Sequence, residues 1–414
     1  MKSIKFIRNN IILILQFLFG FFLLTRAIIK IILSFNKFKD QTIFVAWHWS
    51  FGHQAQMLEC VARVYKNQDK IFLFQTIYLK RNNEFLTNLY DKFYNLIDTF
   101  KSNNLILCKT NYLVYKFIFK SLLKSYIKEL IIYEEFYQEY KSIYQIGKDK
   151  NIHHYDENLK KIITNYPLQI WVDKIIENYP YTHKLKKTLV DESEALLLKM
   201  KIDLNKKIVS FFFRDYQESG TYYDIIRNSY NILNYTESIK YFSQANYNVF
   251  IFGPNQNKDL DKLSNLKIKN AYVFPGSLNE DFKKINIYAI FKSEKIISQN
   301  SAPQMLAGFL SKDGYVVDYC PPFFGFPNKV KIIMPKININ KKILYFKDYK
   351  DTDIFWGKEF NNEHCYIEAN SENEILNFLS KDLTKVNKIN NQIPSGSAFK
   401  VREHNTLYCS SYFK

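Results

Sequence analysis

Past residue 40 the chain keeps returning to one pattern: a short, nearly unbroken apolar run, a polar turn, then residues at helical spacing. "TIFVAW" (42–47), "KIFLFQT" (70–76) and "NLILC" (104–108) read as strands, with helices over 53–65 and 82–100 between them. Runs that are apolar throughout belong to parallel strands covered on both faces, and alternating runs to half-exposed ones. Parallel neighbours cannot be joined by tight hairpins, so each needs a crossover. The pattern resumes at "KIVSFFF" (207–213) and continues with strands at 248–253, 271–276, 295–298 and 315–319. Helices fall between them at 235–245, 281–292 and 302–310. Ser371 and Glu374 stand at capping-box spacing, so another helix starts there. Residues 111–146 read as a long aromatic-rich helical stretch broken in the middle, and 147–205 as a Lys- and Asn-rich connection with one helix at 191–200. The expected fold class is α/β, with two α/β units in tandem, each around its own sheet. The boundaries are 1–40 for an N-terminal hydrophobic helix, 41–205 and 206–384 for the two units, and 385–414 for a tail.

The N-terminus is a separate problem. Lys2, Lys5 and Arg8 precede an apolar run whose uncharged part ends at Thr25. That part is about 15 residues long, short of the roughly 20 needed to span a bilayer. Arg26 and Lys30 lie four apart, hence on one helical face. No small-x-small cleavage site follows, which disfavours a secretory signal. Three readings stand: an interfacial anchor, a single span whose Arg26 and Lys30 snorkel, or a buried soluble helix. Basic flanks on both sides suit anionic lipid, so residues 1–40 are expected at the cytoplasmic face of the inner membrane.

Charge adds little to this. Lys plus Arg number 58 against 40 acidic residues, a net charge of +18, which favours anionic partners. The lysines are spread over the whole chain, however, and no element carries a basic stripe with interleaved aromatics. Nucleic acid is therefore not an expected partner. Cysteines at 60, 108, 320, 365 and 409 are odd in number and form no CxxC pair, as in a reduced chain without structural zinc.

In sheets of this kind ligands bind outside the carboxyl ends of the strands, so residues just after strands are the candidates. In the first unit these are "HWSFGH" (48–53). Gly52 lets a ligand approach the backbone. A neutral His53 at a helix N-terminus could take a proton from an attacking hydroxyl; equally, it could simply open the helix. His48 reads as packing between Trp47 and Trp49. Gly52 and Glu59 are placed on the acceptor side. In the second unit Arg214 directly follows a strand, where its planar fork suits a diphosphate, with Asp215 or Asp224 as alternative salt-bridge partners. Arg227 and Asn228 close a long loop dense in polar and aromatic residues. Gly253 ends a strand. Asn300 and Ser301, beside Gln299, stand at a helix start with Pro303 in its first turn; they form either a plain cap or a phosphate cradle.

Other patterns fall away. Neither GxxxxGK[ST] nor GxGxxG occurs, and GxSxG is missing too. "DTD" (351–353) lies in a charged stretch without a clear strand before it, and His153-His154 lacks companion ligands.

The second half resembles bacterial glycosyltransferases of the GT-B type, which have two Rossmann-like domains facing a central cleft and occur among cell-envelope polysaccharide genes. The resemblance rests on Arg214-Asp215, on "YDIIRN" with Asp224, Arg227 and Asn228, on Tyr235 opening a helix, and on the strand ending at Gly253. It continues through "INIYAIFKSEKIIS", "SAPQMLAGFL", "MPK" (334–336) and "NSENEI" (370–375), and "FGH" (51–53) is similar to the family's early glycine-histidine turn. It covers most of 41–384. Two positions depart: Phe250, Ile251 and Phe252 stand where an arginine is usual before the glycine, and Ser301-Ala302 replaces Ser-Gly. The resemblance implies transfer of a sugar from a nucleotide-sugar donor to a hydroxyl of an envelope glycan or lipid-linked acceptor. It implies no metal and no other cofactor, with basic side chains and helix N-termini meeting the diphosphate. The departures leave two further readings open: a catalytically inactive nucleotide- or sugar-binding partner protein, and a structural assembly protein without a pocket.

Overall fold

The computed structural model describes residues 2–48, 51–67, 70–79, 83–132, 135–136, 154–156, 161–163, 175, 178–180 and 183–214. In the second half it describes 231–254, 257–275, 279–299, 302–310, 312–318, 331–333, 336–339, 342–344, 365–380, 386–388 and 406–410. The chain divides into two units, 1–143 and 144–414.

The first unit begins with helix α1 (Lys2–Phe38), followed by strand β1 (Thr42–His48), helix α2 (Phe51–Val64), strands β2 (Ile71–Tyr78) and β3 (Tyr94–Ser102), helix α3 (Leu105–Phe117) and strand β4 (Glu129–Ile132). The strands pair in the order β3-β2-β1-β4, all parallel. Central β1 is buried along almost its whole length, as an uninterrupted apolar run requires.

On one face of this sheet Ile43, Val45 and Phe74 pack against Ala27, Ile31 and Phe38 of α1 and against Tyr112, Tyr115 and Phe119 from and just beyond α3. The register of β3 steps by one residue opposite Leu73 and Phe74, a bulge. Asp98, just past it, receives Arg26 Nη2 of α1 at 2.7 Å and the Tyr115 hydroxyl at 2.7 Å. Arg26 also reaches Asn111 Oδ1 at 3.4 Å and lies over the Phe100 ring. This corrects the snorkelling reading of Arg26, because its guanidinium is held inward by a buried carboxylate. Among the described residues no helix is long and apolar enough to cross a membrane.

Two expected elements exchange identity. Residues 82–100, expected as a helix, form a short 3-10 turn (Leu86–Tyr90) and then β3; "NLILC", expected as a strand, opens α3. The cause of the second is local. Asn104 caps the helix, its Oδ1 accepting from the N–H groups of Ile106 and Leu107 at 2.9 and 3.1 Å. The cause of the first is tertiary: β3 is an edge strand, and its apolar spacing fits a helix as well until β2 pairs with it. The long helix over 111–146 ends at Phe117, runs into a π turn (Ile118–Leu122), and gives way to β4.

The second unit contains the short antiparallel pair β5 (His154–Asp156) and β6 (Lys161–Ile163), then helix α4 (Lys187–Lys199). Helix α4 was expected in a connection belonging to the first unit. After strand β7 (Ile208–Phe212) come helix α5 (Thr236–Gln244), strand β8 (Asn248–Gly253), helix α6 (Lys258–Asn265), strand β9 (Ala271–Pro275) and helix α7 (Glu280–Lys292). Helix α4 packs on α7, where Glu194 accepts from the Tyr288 hydroxyl at 3.0 Å and Glu192 pairs with Lys284 at 3.0 Å. Strand β10 (Lys295–Ser298), helix α8 (Ala302–Phe309), strand β11 (Asp313–Val316) and strand β12 (Lys331–Ile333) follow. Strands β13 (Lys336–Ile339), β14 (Lys342–Leu344) and β15 (Cys365–Glu368) form a separate antiparallel sheet, before helix α9 (Glu372–Leu379) and strands β16 (Val386–Lys388) and β17 (Thr406–Ser410).

The main sheet has the order β16-β17-β12-β11-β10-β7-β8-β9. Every pairing in it is parallel except β16 with β17. The expected tail 385–414 therefore supplies strands, with β17 lying alongside β12. On one face Phe211 and Phe213 meet Tyr235, Phe242 and, from α9, Phe378. On the other, the rings of Phe212, Phe252 and Phe274 stack at 4.8 and 5.1 Å, with Phe282 of α7 edge-on to the last.

The Arg26–Asp98 pair gives a stability prediction. Arg26→Met leaves Asp98 charged and buried, at a cost of about 3 kcal/mol, while Arg26→Met with Asp98→Leu recovers most of it. Urea denaturation of the first unit, at unchanged slope, measures both.

Candidate functional site

Strand β7 is the winding origin of the second sheet. From it the chain moves through β8 to β9 on one side, then crosses back to β10, β11 and β12 on the other. Crossovers leaving β7 and β10 run in opposite directions, so a crevice opens between the carboxyl ends of these two strands. Arg214 stands two residues beyond β7, partly buried. The amide of the intervening Phe213 donates to Phe252 O at 2.8 Å, continuing the pairing up to the arginine. Gln299 directly follows β10 and is buried, its Nε2 donating to the Tyr235 hydroxyl at 2.6 Å. Burial and the nearby charge of Asp318 hold the Tyr235 phenol well above its usual range, with the Gln299 hydrogen bond opposing them. It is therefore a neutral hydroxyl.

Asp318 lies two residues past β11 in a left-handed backbone conformation, φ 54°, and is buried. Its Oδ1 accepts from the Asn370 amide at 2.8 Å and from Asn370 Nδ2 at 2.5 Å. The Asn370 carbonyl in turn accepts from Asn234 Nδ2 at 2.8 Å. Immediately after it, Ser371 and Glu374 close the capping box of α9, as their spacing predicts. Buried Gln304 fastens α8 to the sheet, donating from Nε2 to the carbonyls of Ile296 and Tyr315 at 2.8 Å each. These contacts hold the strand ends around the crevice at fixed positions. Asp318 is not among the residues read from the sequence as candidates, although it closes the apolar strand "YVVDY"; Asn370 opens the "NSENEI" stretch that carries part of the resemblance.

Gly253 ends β8 on the same edge. A Cβ there would overlap Leu260 Cδ1 of α6, so a larger residue would require the buried leucine side chain to shift. Arg227, Asn228, Asn300 and Ser301 lie outside the described residues.

The first sheet repeats the arrangement on a smaller scale, with β1 between β2 and β4. His48 ends β1 and is fully buried. Helix α2 begins at Phe51, so Gly52 and His53 occupy its first turn and not the connecting loop; the His53 side chain lies outside the described residues. Gln54 follows, fully buried, with neither amide atom hydrogen-bonded among the described residues. Nothing in its sequence surroundings marks it.

Glu59 is corrected. It is fully buried under α2, with Oε1 paired to Arg63 Nε at 2.5 Å and Oε2 accepting from the Tyr90 hydroxyl at 2.7 Å. Burial and the Glu59 carboxylate hold the Tyr90 phenol well above its usual range, which keeps the proton in that bond. The i,i+4 spacing with Arg63 explains the pair, and a carboxylate so engaged tethers α2 and does not face an acceptor. Among the described residues no three His, Cys, Asp or Glu side chains converge as a metal-binding group.

No family model matches the chain, and no curated protein does. Solved structures do. The glycosyl transferase family 9 protein from Veillonella parvula DSM 2008 is 11% identical with a TM-score of 0.45, covering 84% of this chain and 97% of its own. The E. coli ADP-heptose LPS heptosyltransferase II is 11% identical with a TM-score of 0.45, covering 83% and 98%. An E. coli heptosyltransferase with ADP-2-deoxy-2-fluoro heptose is 8% identical with a TM-score of 0.37, covering 74% and 91%.

For Glu59 the expected outcome is structural. Glu59→Gln leaves the Arg63 charge buried without its carboxylate and costs about 3 kcal/mol. Thermal melting of the variant falls, and Glu59→Gln with Arg63→Met recovers most of the loss.

Proposed function

We propose that this chain transfers a sugar from a nucleotide-sugar donor to a hydroxyl of an envelope glycan or lipid-linked acceptor. The observation that carries the reading is the parallel order β9-β8-β7-β10-β11-β12, with Arg214 and Gln299 at the carboxyl ends flanking its switch point. That is where a nucleotide's phosphates are met in doubly wound sheets. The sequence resemblance supports it independently, since the residues that carry it cluster after these same strands.

In this reading the second unit holds the donor. Arg214 meets the diphosphate with two parallel N–H donors, and Arg227, Asn228, Asn300 and Ser301 add phosphate and ribose contacts. Gly253 keeps the end of β8 free of a side chain. The first unit takes the acceptor at the start of α2, beside Gly52. His53 removes the proton from the acceptor hydroxyl as the oxygen bonds to the sugar's anomeric carbon. The bond from that carbon to the diphosphate breaks, and the leaving group departs with the electron pair and its negative charge. Arginine side chains and helix N-termini stabilise that charge, with no metal ion assigned to the step.

A second reading, an inactive nucleotide- or sugar-binding partner protein, draws on Phe252. Where an arginine is usual in the resembling family, this ring is stacked between Phe212 and Phe274 and is unavailable to a phosphate. Turnover of any nucleotide sugar, including slow hydrolysis, excludes that reading.

Two variants test the roles. Arg214→Ala weakens nucleoside diphosphate binding by about tenfold or more, the loss expected for a charge-assisted pair of hydrogen bonds. Failure of the wild-type chain to bind UDP, GDP, CDP or dTDP in calorimetry removes the donor assignment. His53→Gln lowers kcat by about a hundredfold with donor affinity unchanged. Equal losses in both would refute the base.

A further inference from the structure

The outer faces of α1 and α3 form an apolar surface that the enzymatic reading does not use. Both helices lie on the same face of the first sheet and bury one side there. Away from the sheet, α1 exposes Phe21, Phe22, Ile28, Ile29, Ile32 and Leu33, the last two 68% and 73% exposed. Alongside it, α3 and the turn after it expose Ile106, Leu113, Phe117 and Leu122, with Ile106 63% and Phe117 58% exposed. Residues 106, 113 and 117 recur at helical spacing, so they form one stripe opposite the buried Cys108, Tyr112 and Tyr115. Exposed apolar side chains scattered singly are ordinary, but two adjacent helices presenting them together mark a docking surface.

The charges around this surface select its occupant. Neither 20–39 nor 104–128 contains an aspartate or glutamate. Exposed Lys30 and Lys37 lie on or beside the α1 face, and exposed Lys109, Lys120 and Lys124 on or beside that of α3. Lys120 pairs with Glu135 at 2.6 Å, both ends about half exposed. The one arginine in 20–39, Arg26, is turned inward to Asp98. An apolar face whose own segments carry lysines and no acid, with Glu135 and Asp40 only at its margin, is complementary to an anionic lipid surface.

We propose that the first unit docks on an anionic bilayer through a two-helix platform, the outer faces of α1 and α3 lying in the interfacial plane with their lysines among the headgroups. This extends the expected anchor beyond residues 1–40, because α3 adds its own apolar stripe to the contact. It also gives α1 a fixed orientation, since the Arg26–Asp98 bond and the sheet hold its other side. The inference stands apart from sugar transfer and does not depend on which reaction the chain catalyses.

The test is co-sedimentation of the full chain with vesicles of phosphatidylcholine alone or with about one-third phosphatidylglycerol. The expected result is binding at least about tenfold stronger to the anionic vesicles, and release as salt is raised to about 0.5 M. Leu113→Ser with Phe117→Ser lowers the partition about tenfold at unchanged melting temperature, because exposed side chains add little to stability. Lys109→Glu with Lys124→Glu does the same without touching an apolar residue, and serves if the serine variant fails to fold. Wild-type partition of both α3 variants overturns the platform and returns attachment to residues 1–40 alone. Absence of vesicle binding also overturns it, as does light scattering that shows the serine pair breaking a dimer, which would make a second copy the occupant. Nucleotide binding measured on the same preparations separates this inference from the enzymatic one: a chain that binds vesicles but no nucleotide leaves the platform standing.

Discussion

Parallel pairing of β7 with β8 on one side and β10 on the other is the constraint on which the second unit depends. Parallel strands bring all their carboxyl ends to one edge of the sheet, and reversal of winding at the central strand parts the loops there. Arg214, Gly253, Gln299 and Asp318 come from positions as much as 104 residues apart and reach that edge for this reason alone. The first sheet follows the same rule around β1, and the start of α2, with Gly52 and His53, is where it brings the chain out.

The polar contacts inside each unit serve this geometry. Gln304 bonds to carbonyls of two neighbouring strands at once, and Asp318 clamps Asn370 by both its amides. In the first unit Asp98 gathers Arg26 and Tyr115, so that α1 and α3 are tied to one carboxylate on β3. Buried polar groups of this kind carry a high penalty when unmatched, and so they specify one arrangement among several that an apolar core alone would allow. In Arg26 and Glu59, charges that could have faced membrane or substrate are committed to holding helices.

Much of the architecture is legible along the chain because an uninterrupted apolar run can only be a buried strand or a buried helix segment, and its length separates the two. The strands at 42–48, 71–78, 208–212, 248–253 and 295–298 lie where those runs predict, and the capping box at Ser371 and Glu374 closes as spaced. Where that criterion is weak, the reading slips. Residues 94–102 carry apolar residues at intervals that suit a helix, and only the exposed edge of β2 makes them a strand. "NLILC" is short and apolar like a strand, but the cap at Asn104 starts a helix first. The strands at 331–333 and 386–388, three residues each, are too short for any local signal.

The candidate site divides in the same way. By itself the sequence determined the class of fold, the alternation that builds two sheets, the glycine at 253 and the arginine placed just past a strand, because each follows from local chemistry within a few residues. Only the tertiary structure decided which strand stands at the switch point, that Gln299 bonds to Tyr235 and Asp318 to Asn370, and that Glu59 and Arg26 hold buried ion pairs. It also decided that α3 lies beside α1 with both apolar faces outward. These are facts of strand order and helix packing. Contacts between residues far apart in sequence set them, and no window of the chain contains both partners.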